Sequence, residues 1–579
     1  MFNRYFQQEM EQLKELGAAF AKAHPSVAPM LGGPTADPDV ERLLEGVSFQ
    51  TALLRQKLDD EFPEIVHDMI RLLWPHYLRP VPATTTVAFK PKATMKQTAA
   101  IPAGTVLSSA PVEGIVCQFR TCFDVEISPL SLLDAVYEQP AGQPAQIRLV
   151  LELADIRLSA WTVQSLRFFL AGDYGVASDL YYLLLRHLKQ IVLKPQGSGS
   201  EAVLPAQGLR EAGFSDQAAL FAYPSHSFPG YRILQEYFYA PDKFLYLDLT
   251  GWERWRNRGD GARFEICFQF NDLPLPSPRV TRNSFALFAT PVVNIFQHDA
   301  DPVSLDHRRA WYWVRPAGHT PDSCQIYSVD KVTGYVQSQA EEKLYQPFDH
   351  FNPDVQTTPV YYTSYQRSLL KAGVDVYLAV AYPPSPGRAE PPPETLAVTL
   401  SCTNGFLPQN LRVGDICIPG RACPEVVTFS NIKPLTPAVM PPLGSDVLWR
   451  LISHLSLNYL SLAHRDHFRA LLDLYVFPDS QNSAAVLANK KRIGGIESLQ
   501  DRPADRLFRG RLIRGREIAM KLRGDHFAST GDLFIFGCVL DQFMGGYASI
   551  NSFTALNIED VLRGDHYAWP PRLGNQPLI

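Results

Sequence analysis

The densest group of side chains that could perform chemistry lies between residues 298 and 307. It consists of His298, Asp299, Asp301, Asp306 and His307. Imidazole and carboxylate groups together are suitable ligands for zinc, iron or manganese. The same residues follow an apolar run at 289–296, and Asp301-Pro302 is typical of a turn. The sequence therefore favours a polar loop at this point, and we predict no metal ligand here.

Other catalytic patterns are weaker. His464 and His467 lie three residues apart and could share one face of a helix, but no third ligand is indicated. The triplet at 464–466 imitates a kinase catalytic loop without the asparagine and the Asp-Phe-Gly motif that such a loop requires. Two Arg-Gly-Asp triplets, at 523–525 and 563–565, are explained by the turn preference of Gly-Asp. No phosphate loop, nucleophile elbow or zinc-protease motif occurs, so we predict no catalytic residue and no cofactor.

Eight cysteines are dispersed along the chain, and none belongs to a Cys-x-x-Cys pair. A zinc ribbon or a redox motif would need tighter spacing. We therefore expect eight reduced thiols that behave mainly as small buried apolar groups.

Charge and hydropathy exclude several classes of protein. The 579 residues carry a formal net charge of −5 without long lysine or arginine runs, which argues against a nucleic-acid-binding protein. The first residues form a charged amphipathic pattern unlike a signal peptide. The longest apolar runs, such as residues 180–185, are far shorter than the ~20 residues that cross a bilayer. We expect a cytoplasmic protein without direct membrane insertion.

The first 80 residues are the strongly helical part of the sequence. Four residues of the first predicted helix recur at helical spacing: Phe6, Met10, Leu13 and Phe20. Residues 37–39 (Asp-Pro-Asp) are typical of a second helix start, and a third helical segment is predicted from about 64 to 74. The second helix carries a short apolar seam of Val40, Leu44, Val47, Leu54 and Leu58. This seam needs a partner helix, which is either the first helix of the same chain or a helix of another subunit.

After Pro80 the pattern changes to short β-strands. Strands are expected at 84–89, 118–127, 146–153, 165–170, 244–249 and 264–270, with one helix at 177–190. Strands at 374–381 and 395–402 are predicted as a hairpin-like pair around a solvated proline-rich loop at 383–394. The last part of the chain is predicted to contain helices at 446–462 and 466–474, then a strand at 517–522, a helix at 532–549 and a strand at 553–558.

The predicted fold class is α+β and multidomain, with a helical N-terminal arm, β-rich domains and a mixed α/β C-terminal region. The domain boundaries are placed at 1–80, 81–220, 221–434 and 435–579. Several aromatic residues fit either strand cores or an assembly surface: Trp311, Trp313, Tyr361, Tyr362 and Tyr365. These observations favour a scaffold protein, and the alternative is a cytosolic carbohydrate-active enzyme with two carboxylates across a cleft.

Several segments in one order resemble the TssF family of type VI secretion baseplate wedge subunits. They are NRYF at 3–6, DPDVERLLEG at 37–46, KLDDEFP at 57–63, WPHYL at 74–78, PGYR at 229–232, QEYF at 235–238, TPVVN at 290–294, CTN at 402–404, ISHLSLNY at 452–459, YASINSF at 547–553 and WPPR at 569–572. Each segment alone is weak, but together they extend over almost the whole chain.

The resemblance implies a non-enzymatic part of a large assembly. Members of the family pair with TssG, and the resulting wedge also carries TssK, TssE and further TssF copies. Six wedges surround the spike hub (VgrG) and form the platform on which the tail tube and sheath assemble. The resemblance also implies similarity to wedge proteins of contractile phage tails and a position at the inner face of the cell envelope.

Overall fold

The protein is represented by a computed structural model that describes most of the chain. The described residues are 2–23, 38–73, 75–142, 144–221, 223, 228–271, 277–319, 323–336, 342–348, 359–368, 373–382, 392–443, 464–477, 483–508, 510–546, 548 and 551–574. The predicted helix at 446–462 and residues 383–391 of the predicted loop lie outside these ranges.

Five of the seven helices among the described residues lie before residue 74 or after residue 464. They are α1 (Phe2–Ala23), α2 (Pro38–Leu73), α3 (Tyr174–Arg186), α4 (Pro229–Tyr239), α5 (Arg465–Asp473), α6 (Ser483–Gly494) and α7 (Thr530–Gly546). The separate helical segment predicted from residue 64 is wrong, because α2 is one helix of 36 residues that passes through Pro63. A proline removes a backbone donor, and a helix with many remaining hydrogen bonds can continue past it.

The strands make up most of the remainder. Those before residue 200 are β1 (Thr84–Pro91), β2 (Ala99–Ile101), β3 (Val106–Val112), β4 (Ile115–Thr121), β5 (Val125–Ile127), β6 (Leu130–Glu138), β7 (Gln146–Leu153), β8 (Ser165–Leu170) and β9 (Leu188–Pro195). Those up to residue 350 are β10 (Ala202–Pro205), β11 (Leu209–Glu211), β12 (Tyr246–Thr250), β13 (Arg263–Phe270), β14 (Phe285–Leu287), β15 (Ala289–Val293), β16 (Phe296–Asp299), β17 (Val303–Leu305), β18 (Tyr312–Val314), β19 (Gln325–Val336) and β20 (Glu342–Pro347). The last are β21 (Val360–Arg367), β22 (Val374–Ala381), β23 (Glu394–Thr403), β24 (Ile416–Pro419), β25 (Val427–Asn431), β26 (Ile496–Phe508), β27 (Arg511–Leu522), β28 (Ser552–Asp560), β29 (His566–Ala568) and β30 (Arg572–Leu573).

These strands form several sheets, most of which combine distant parts of the sequence. Their orders are β24-β3-β4-β15-β1-β25, β10-β9-β13-β7-β6, β11-β12-β8-β14, β16-β23-β19-β20-β21-β22-β18, β2-β5 and β26-β27-β28-β29. Two further strands pair at the side of this arrangement, β17 with β23 and β30 with β28. The protein is therefore β-rich with some helices.

Local alternation explains the strands that the sequence predicts well. In β7 the buried side chains of Leu149, Leu151 and Leu153 alternate with half-buried ones, as expected for a strand with one face on the core. The predicted bounds of β7, β8 and β22 are confirmed at every residue.

Three predictions fail where distant pairing decides the structure. The helix predicted to reach residue 190 ends at Arg186, because Leu188–Pro195 forms β9 and pairs with β13. The strand predicted at 118–127 is two strands in different sheets, β4 and β5. The strands at 374–381 and 395–402 are not paired, because β19, β20 and β21 lie between β22 and β23 in their sheet.

Two separate hydrophobic cores are present among the described residues. The larger core extends from Ile70 to Tyr567 and includes side chains of both the β-sheets and the C-terminal helices. The smaller core lies entirely between Phe296 and Cys402, within the sheet of β16–β23. The segment between β15 and β24 thus builds a second core, although Tyr327 of β19 still belongs to the main core.

Helix α7 anchors the C-terminal region in the main core. It is buried on almost all sides and contacts α3, α4 and β28. Helices α3 and α7 meet at Gly531, where an added Cβ would lie 1.9 Å from the carbonyl oxygen of Ser178. Only glycine permits this approach of the two backbones.

A buried polar network joins α7 to three other helices. The Oδ1 atom of Asp532 accepts hydrogen bonds from the hydroxyls of Tyr174 and Tyr237, each at 3.0 Å. Its Oδ2 atom accepts one from Nε of Arg492 at 2.9 Å, and Arg492 also donates to Asn489 at 2.7 Å. This ion pair therefore has the additional hydrogen bonds that a buried charge requires.

Candidate assembly surfaces

The two N-terminal helices form an antiparallel hairpin. Three contacts join them in opposite order along the two helices: Lys14 with Glu41 at 3.2 Å, Met10 with Ser48 at 3.3 Å, and Glu9 with Arg55. As the residue number falls along α1 it rises along α2, which establishes the antiparallel direction. We call this pair of helices the N-terminal hairpin.

The centre of the N-terminal hairpin is built from small and polar side chains. Ser48 and Ala52 are completely buried on α2, and Glu9 is buried on α1. Small side chains let two helices approach closely, and these positions differ from the predicted apolar seam. The seam is therefore not the line along which α1 and α2 meet.

The candidate assembly residues lie partly or largely exposed to solvent. Phe6, Met10, Leu13, Val40 and Leu44 are half-buried, Phe20, Val47 and Leu54 are exposed, and the side chain of Leu58 lies outside the described part of the chain. Leu54 is 62% exposed. The sequence reasoning missed Leu16 and Leu43, which are also exposed, although Leu16 follows Leu13 at helical spacing. Burying a leucine contributes roughly 1.5–3 kcal/mol, so these side chains are suited to a further contact.

The predicted polar loop is only partly correct, because His298 and Asp299 lie on β16 and pair with β23, whereas Asp301, Asp306 and His307 lie outside the strands. Nε2 of His298 lies 2.8 Å from the carbonyl oxygen of Ala317, and Asp306 accepts a hydrogen bond from the hydroxyl of Tyr312 at 2.7 Å. The Tyr312 hydrogen bond lowers the pKa of Asp306. His464 and His467 have ring centroids 4.9 Å apart. Within the described ranges, no group of three or more His, Cys, Asp or Glu residues could hold a metal ion.

Both Arg-Gly-Asp triplets lie in turns. Residues Gly524–His526 form a short 3-10 helix, and Arg523 pairs with Asp525 at 2.9 Å. In the second triplet Gly564 has a positive φ of 71°. The turn interpretation of these triplets is confirmed.

Lys243 is buried inside the protein. Burial lowers the pKa of Lys243 to about 8, although the neighbouring Glu236 favours its charged form. Glu236 also pairs with Arg232 at 3.3 Å, and all three side chains are buried. A perturbed pKa indicates an active site only in a cleft, and this cluster has no access for a substrate. It is a structural ion pair network.

An open cavity of about 610 Å³ is lined by three carboxylates, and two of them accept hydrogen bonds from the protein. Asp248 accepts two hydrogen bonds from Arg167, at 2.7 and 2.8 Å. Asp124 accepts one from the backbone amide of Ala103 at 2.7 Å. Glu126 is the third carboxylate of this cavity.

The aromatic residues singled out in the sequence divide into two groups. Tyr361 is buried and Tyr362 and Tyr365 are half-buried, whereas Trp311 and Trp313 are exposed. The guanidinium of Arg315 lies 3.6 Å from the ring centroid of Trp313. The tyrosines therefore belong to the sheet and its core, and the tryptophans lie at the surface.

No helix within the described ranges is long and apolar enough to cross a membrane.

Comparisons with known proteins match this chain to TssF proteins over almost its whole length. A family model for the type VI secretion system protein TssF matches residues 1–576. The chain is 29% identical to the type VI secretion system component TssF1 of Pseudomonas aeruginosa, and the match covers 99% of both chains.

Two solved structures are similar in fold. A chain of the TssK–TssF–TssG baseplate subcomplex of the type VI secretion system, determined by cryo-electron microscopy, has a TM-score of 0.77 and 27% identity, with 92% of this chain and 99% of that chain covered. A chain of a baseplate complex from the type VI secretion system has a TM-score of 0.69 and 25% identity, with both chains covered completely.

Proposed function

The chain belongs to the TssF family of the type VI secretion system, and from that premise we propose that it is a structural, non-enzymatic subunit of the secretion baseplate. The observation that supports this role best is the incomplete burial of the N-terminal hairpin. Its helices meet through Ser48 and Ala52, so leucines such as Leu43 and Leu54 remain exposed. Exposed apolar groups of this kind are typical of interfaces.

The proposed partners are TssG and TssK, which occur with TssF in the similar cryo-electron microscopy complex. Helices of a partner cover the exposed apolar side chains of the N-terminal hairpin. This arrangement makes the hairpin an assembly arm and removes the leucines from water. We extend the proposal to TssE and to further TssF copies, which complete a wedge.

In the complete proposed assembly, six wedges surround the spike hub VgrG and serve as the platform for tail tube and sheath. The arrangement corresponds to the wedge of a contractile phage tail. The baseplate is cytoplasmic and docks at the inner face of the cell envelope. Such a platform must resist the force of sheath contraction, and several large interfaces provide that resistance without an active site.

The test is co-expression of the full chain with TssG and TssK from the same bacterium. The proposal predicts that the three proteins co-purify at a constant ratio through affinity and size-exclusion steps. Untagged TssG and TssK without the tagged chain are the control for nonspecific retention by the affinity column. Elution of the chain separately from both partners, under conditions in which TssG and TssK remain folded, would contradict the proposed function.

A further inference from the structure

The turn that follows α2 fixes the base of the N-terminal hairpin to the body of the protein. Ile70, near the end of α2, is completely buried in the main core. The next element is the 3-10 turn Pro75–Leu78, in which the hydroxyl of Tyr77 donates a hydrogen bond to the carbonyl oxygen of Leu474 at 3.2 Å. The Tyr77 ring centroid also lies 6.0 Å from that of Phe477. These contacts give the residue after the turn a defined position.

Arg79 is the first residue after this turn, and it reaches a strand of the second core. Its guanidinium carbon lies over the ring of Tyr327 on β19, 5.3 Å from the ring centroid. A cation within about 6 Å of an aromatic ring is attracted by the negative face of that ring. Asp330 of the same strand supplies a further favourable charge for Arg79. The base of the N-terminal hairpin thus contacts the sheet of the second core through Arg79.

Tyr327 joins the two cores at this point. It belongs to β19 in the sheet of the second core, but its side chain is 4% exposed and packs in the main core. Tyr365 on β21 is half-buried and packs against both cores. Val374, the first residue of β22, also packs against the main core. The surroundings of Arg79 are therefore an aromatic and apolar junction between two parts of the molecule.

A narrower connection lies where the chain enters and leaves the second core. We call residues 295–403 the second-core module. The chain enters the module after Asn294 and leaves it before Asn404, and hydrogen bonds of 2.7 to 3.1 Å join these two residues to each other and to the backbone of Gln118. We call this pair of chain crossings the neck. Two adjacent crossings can act as a hinge, because rotation of the module changes only a few backbone dihedral angles.

We propose that Arg79 is a latch that fixes the orientation of the second-core module relative to the N-terminal hairpin. With the Arg79 contact made, the module is held both at the neck and at the junction around Tyr327. With that contact broken, the module rotates about the neck. The part of this latch in assembly rests on the proposed function, since a partner that contacts both hairpin and module loses less entropy when their relative orientation is already fixed.

The chemistry of the junction explains why Arg79 rather than the apolar contacts sets the orientation. Apolar burial at Tyr365 and Val374 is non-directional, so these side chains can slide over the main core without losing their contact. A guanidinium over a tyrosine ring has a defined geometry, because the attraction depends on its position above the ring face. Arg79 also follows the anchored turn directly, so it relates the module to the hairpin base.

The test measures a distance between the two parts of the full-length chain by double electron–electron resonance. Spin labels are attached to Glu11→Cys on α1 and Arg309→Cys in the module, both at exposed positions, with Cys417→Ser because Cys417 is exposed. Arg79→Met is compared with Arg256→Met, which changes an exposed arginine elsewhere. We expect a narrow distance distribution in the unchanged chain and in the control, and a distribution at least twice as broad in Arg79→Met.

Tyr327→Leu tests the same contact from the other side, because leucine keeps the apolar packing and removes the ring. It should broaden the distribution as Arg79→Met does, and the double variant should broaden it no further than either single change. Additive broadening would show that the two residues act separately and would overturn the latch. Melting curves identify any variant that is unfolded, and Arg79→Lys, which keeps a cation, should remain closer to the unchanged chain than Arg79→Met.

Equal distribution widths in the unchanged chain and in Arg79→Met would also overturn the proposal. In a second measurement, Arg79→Met should weaken binding to a purified TssG–TssK complex at least threefold, and Arg256→Met less than twofold. Unchanged affinity of Arg79→Met would remove the latch from assembly. Failure of the wild-type chain to bind TssG–TssK would overturn the proposed function, whereas the distance measurement on the isolated chain would still decide whether the latch exists.

Discussion

The side-chain amides of Asn294 and Asn404 join the two ends of the region that forms the second core. Nδ2 of Asn294 donates to Oδ1 of Asn404 at 2.8 Å, and the backbone amide of Asn404 donates to Oδ1 of Asn294 at 2.8 Å. Both residues are buried. Residues 295–403 thus begin and end at one reciprocal hydrogen-bonded pair.

We expect Asn404→Ala to destabilise the hydrogen-bonded connection between the two ends of residues 295–403. The change removes the acceptor for Asn294 and for the backbone amide of Gln118, and it also removes the donor to the carbonyl oxygen of Ser323. Each buried donor left without an acceptor costs about 1–3 kcal/mol. Thermal unfolding and limited proteolysis of the full chain measure the effect. Asn410→Ala, at an exposed position, is the control, and equal stability of the two variants would contradict the prediction.

A charge on the exposed side of the N-terminal hairpin should affect assembly more than folding. Leu54→Asp places a carboxylate at a position that is 62% exposed in the isolated chain, so the melting temperature should change little. In the proposed complex the same charge is buried, which costs several kcal/mol. Co-purification with TssG and TssK should therefore be lost.

Leu44→Asp tests the same surface at a half-buried position and should cost the isolated chain more. Gln50→Asp, on the exposed side of α2, is the matched control. Intact co-purification with both charges present would remove the N-terminal hairpin from the interface.

The Asp532 network predicts a large destabilisation on loss of one charge. Asp532→Asn removes the partner of the buried Arg492 guanidinium, which lies 5.7 Å from the ring centroids of both Tyr174 and Tyr237. Breaking a buried ion pair from one side costs about 3–5 kcal/mol. The double change Asp532→Asn with Arg492→Met should cost less than the two single changes together. Additive effects in denaturant unfolding would show that the two groups are not coupled.

His76 should make the protein sensitive to mild acid. Burial, together with Arg79, lowers the pKa of His76 well below the ordinary 6.5, and the His76 ring centroid lies 4.4 Å from that of Tyr223 with the rings tilted by 42°. Below pH 6.5 the unfolded chain binds a proton that the folded chain excludes, so stability is lost as the pH falls.

The slope expected for this single group is about 1.4 kcal/mol per pH unit. This slope is the limit reached below about pH 5.5, because only half of the unfolded histidine is protonated at pH 6.5. His76→Asn removes the titrating group, so the stability difference between wild type and variant should narrow by about 1 kcal/mol between pH 6.5 and 5.5. If the free energy of unfolding of the two proteins changes equally with pH, His76 is not the group that causes the loss of stability.

The cysteines should divide into one reactive thiol and seven protected ones. Cys417 is exposed, and the other seven cysteines are buried. Burial raises the pKa of Cys122 to about 12 and that of Cys117 to about 11, which keeps both protonated and unreactive. Titration with a thiol reagent should give one fast group in the native protein and eight after denaturation without reductant. Cys417→Ser should abolish the fast group, and fewer than eight thiols on denaturation would disprove full reduction.

The sequence was most informative where structure depends on neighbouring residues. Alternating apolar residues at 146–153 and 165–170 predicted the bounds of β7 and β8 at every residue, because successive side chains of a strand lie on opposite faces. The helices at 2–23 and 38–73 and the turns at both Arg-Gly-Asp triplets also followed from local residue preferences. Ordered motifs indicated the TssF family, which the family model then established. The domain boundaries at 80, 220 and 434 stay predictions.

Tertiary structure alone decided everything that depends on residues far apart in the chain. Leu188–Pro195 follows a helix directly, yet it is a strand because β13 pairs with it from about 75 residues away. The face of α2 that meets α1 is defined by Ser48 and Ala52, and no periodicity of apolar residues could show this. The exposure of Leu507 and Leu512 on β26 and β27 could not be predicted either, because it depends on which distant elements cover each strand. Side-chain patterns therefore determined which elements form, whereas the packing between elements determined which apolar side chains remain available to a partner.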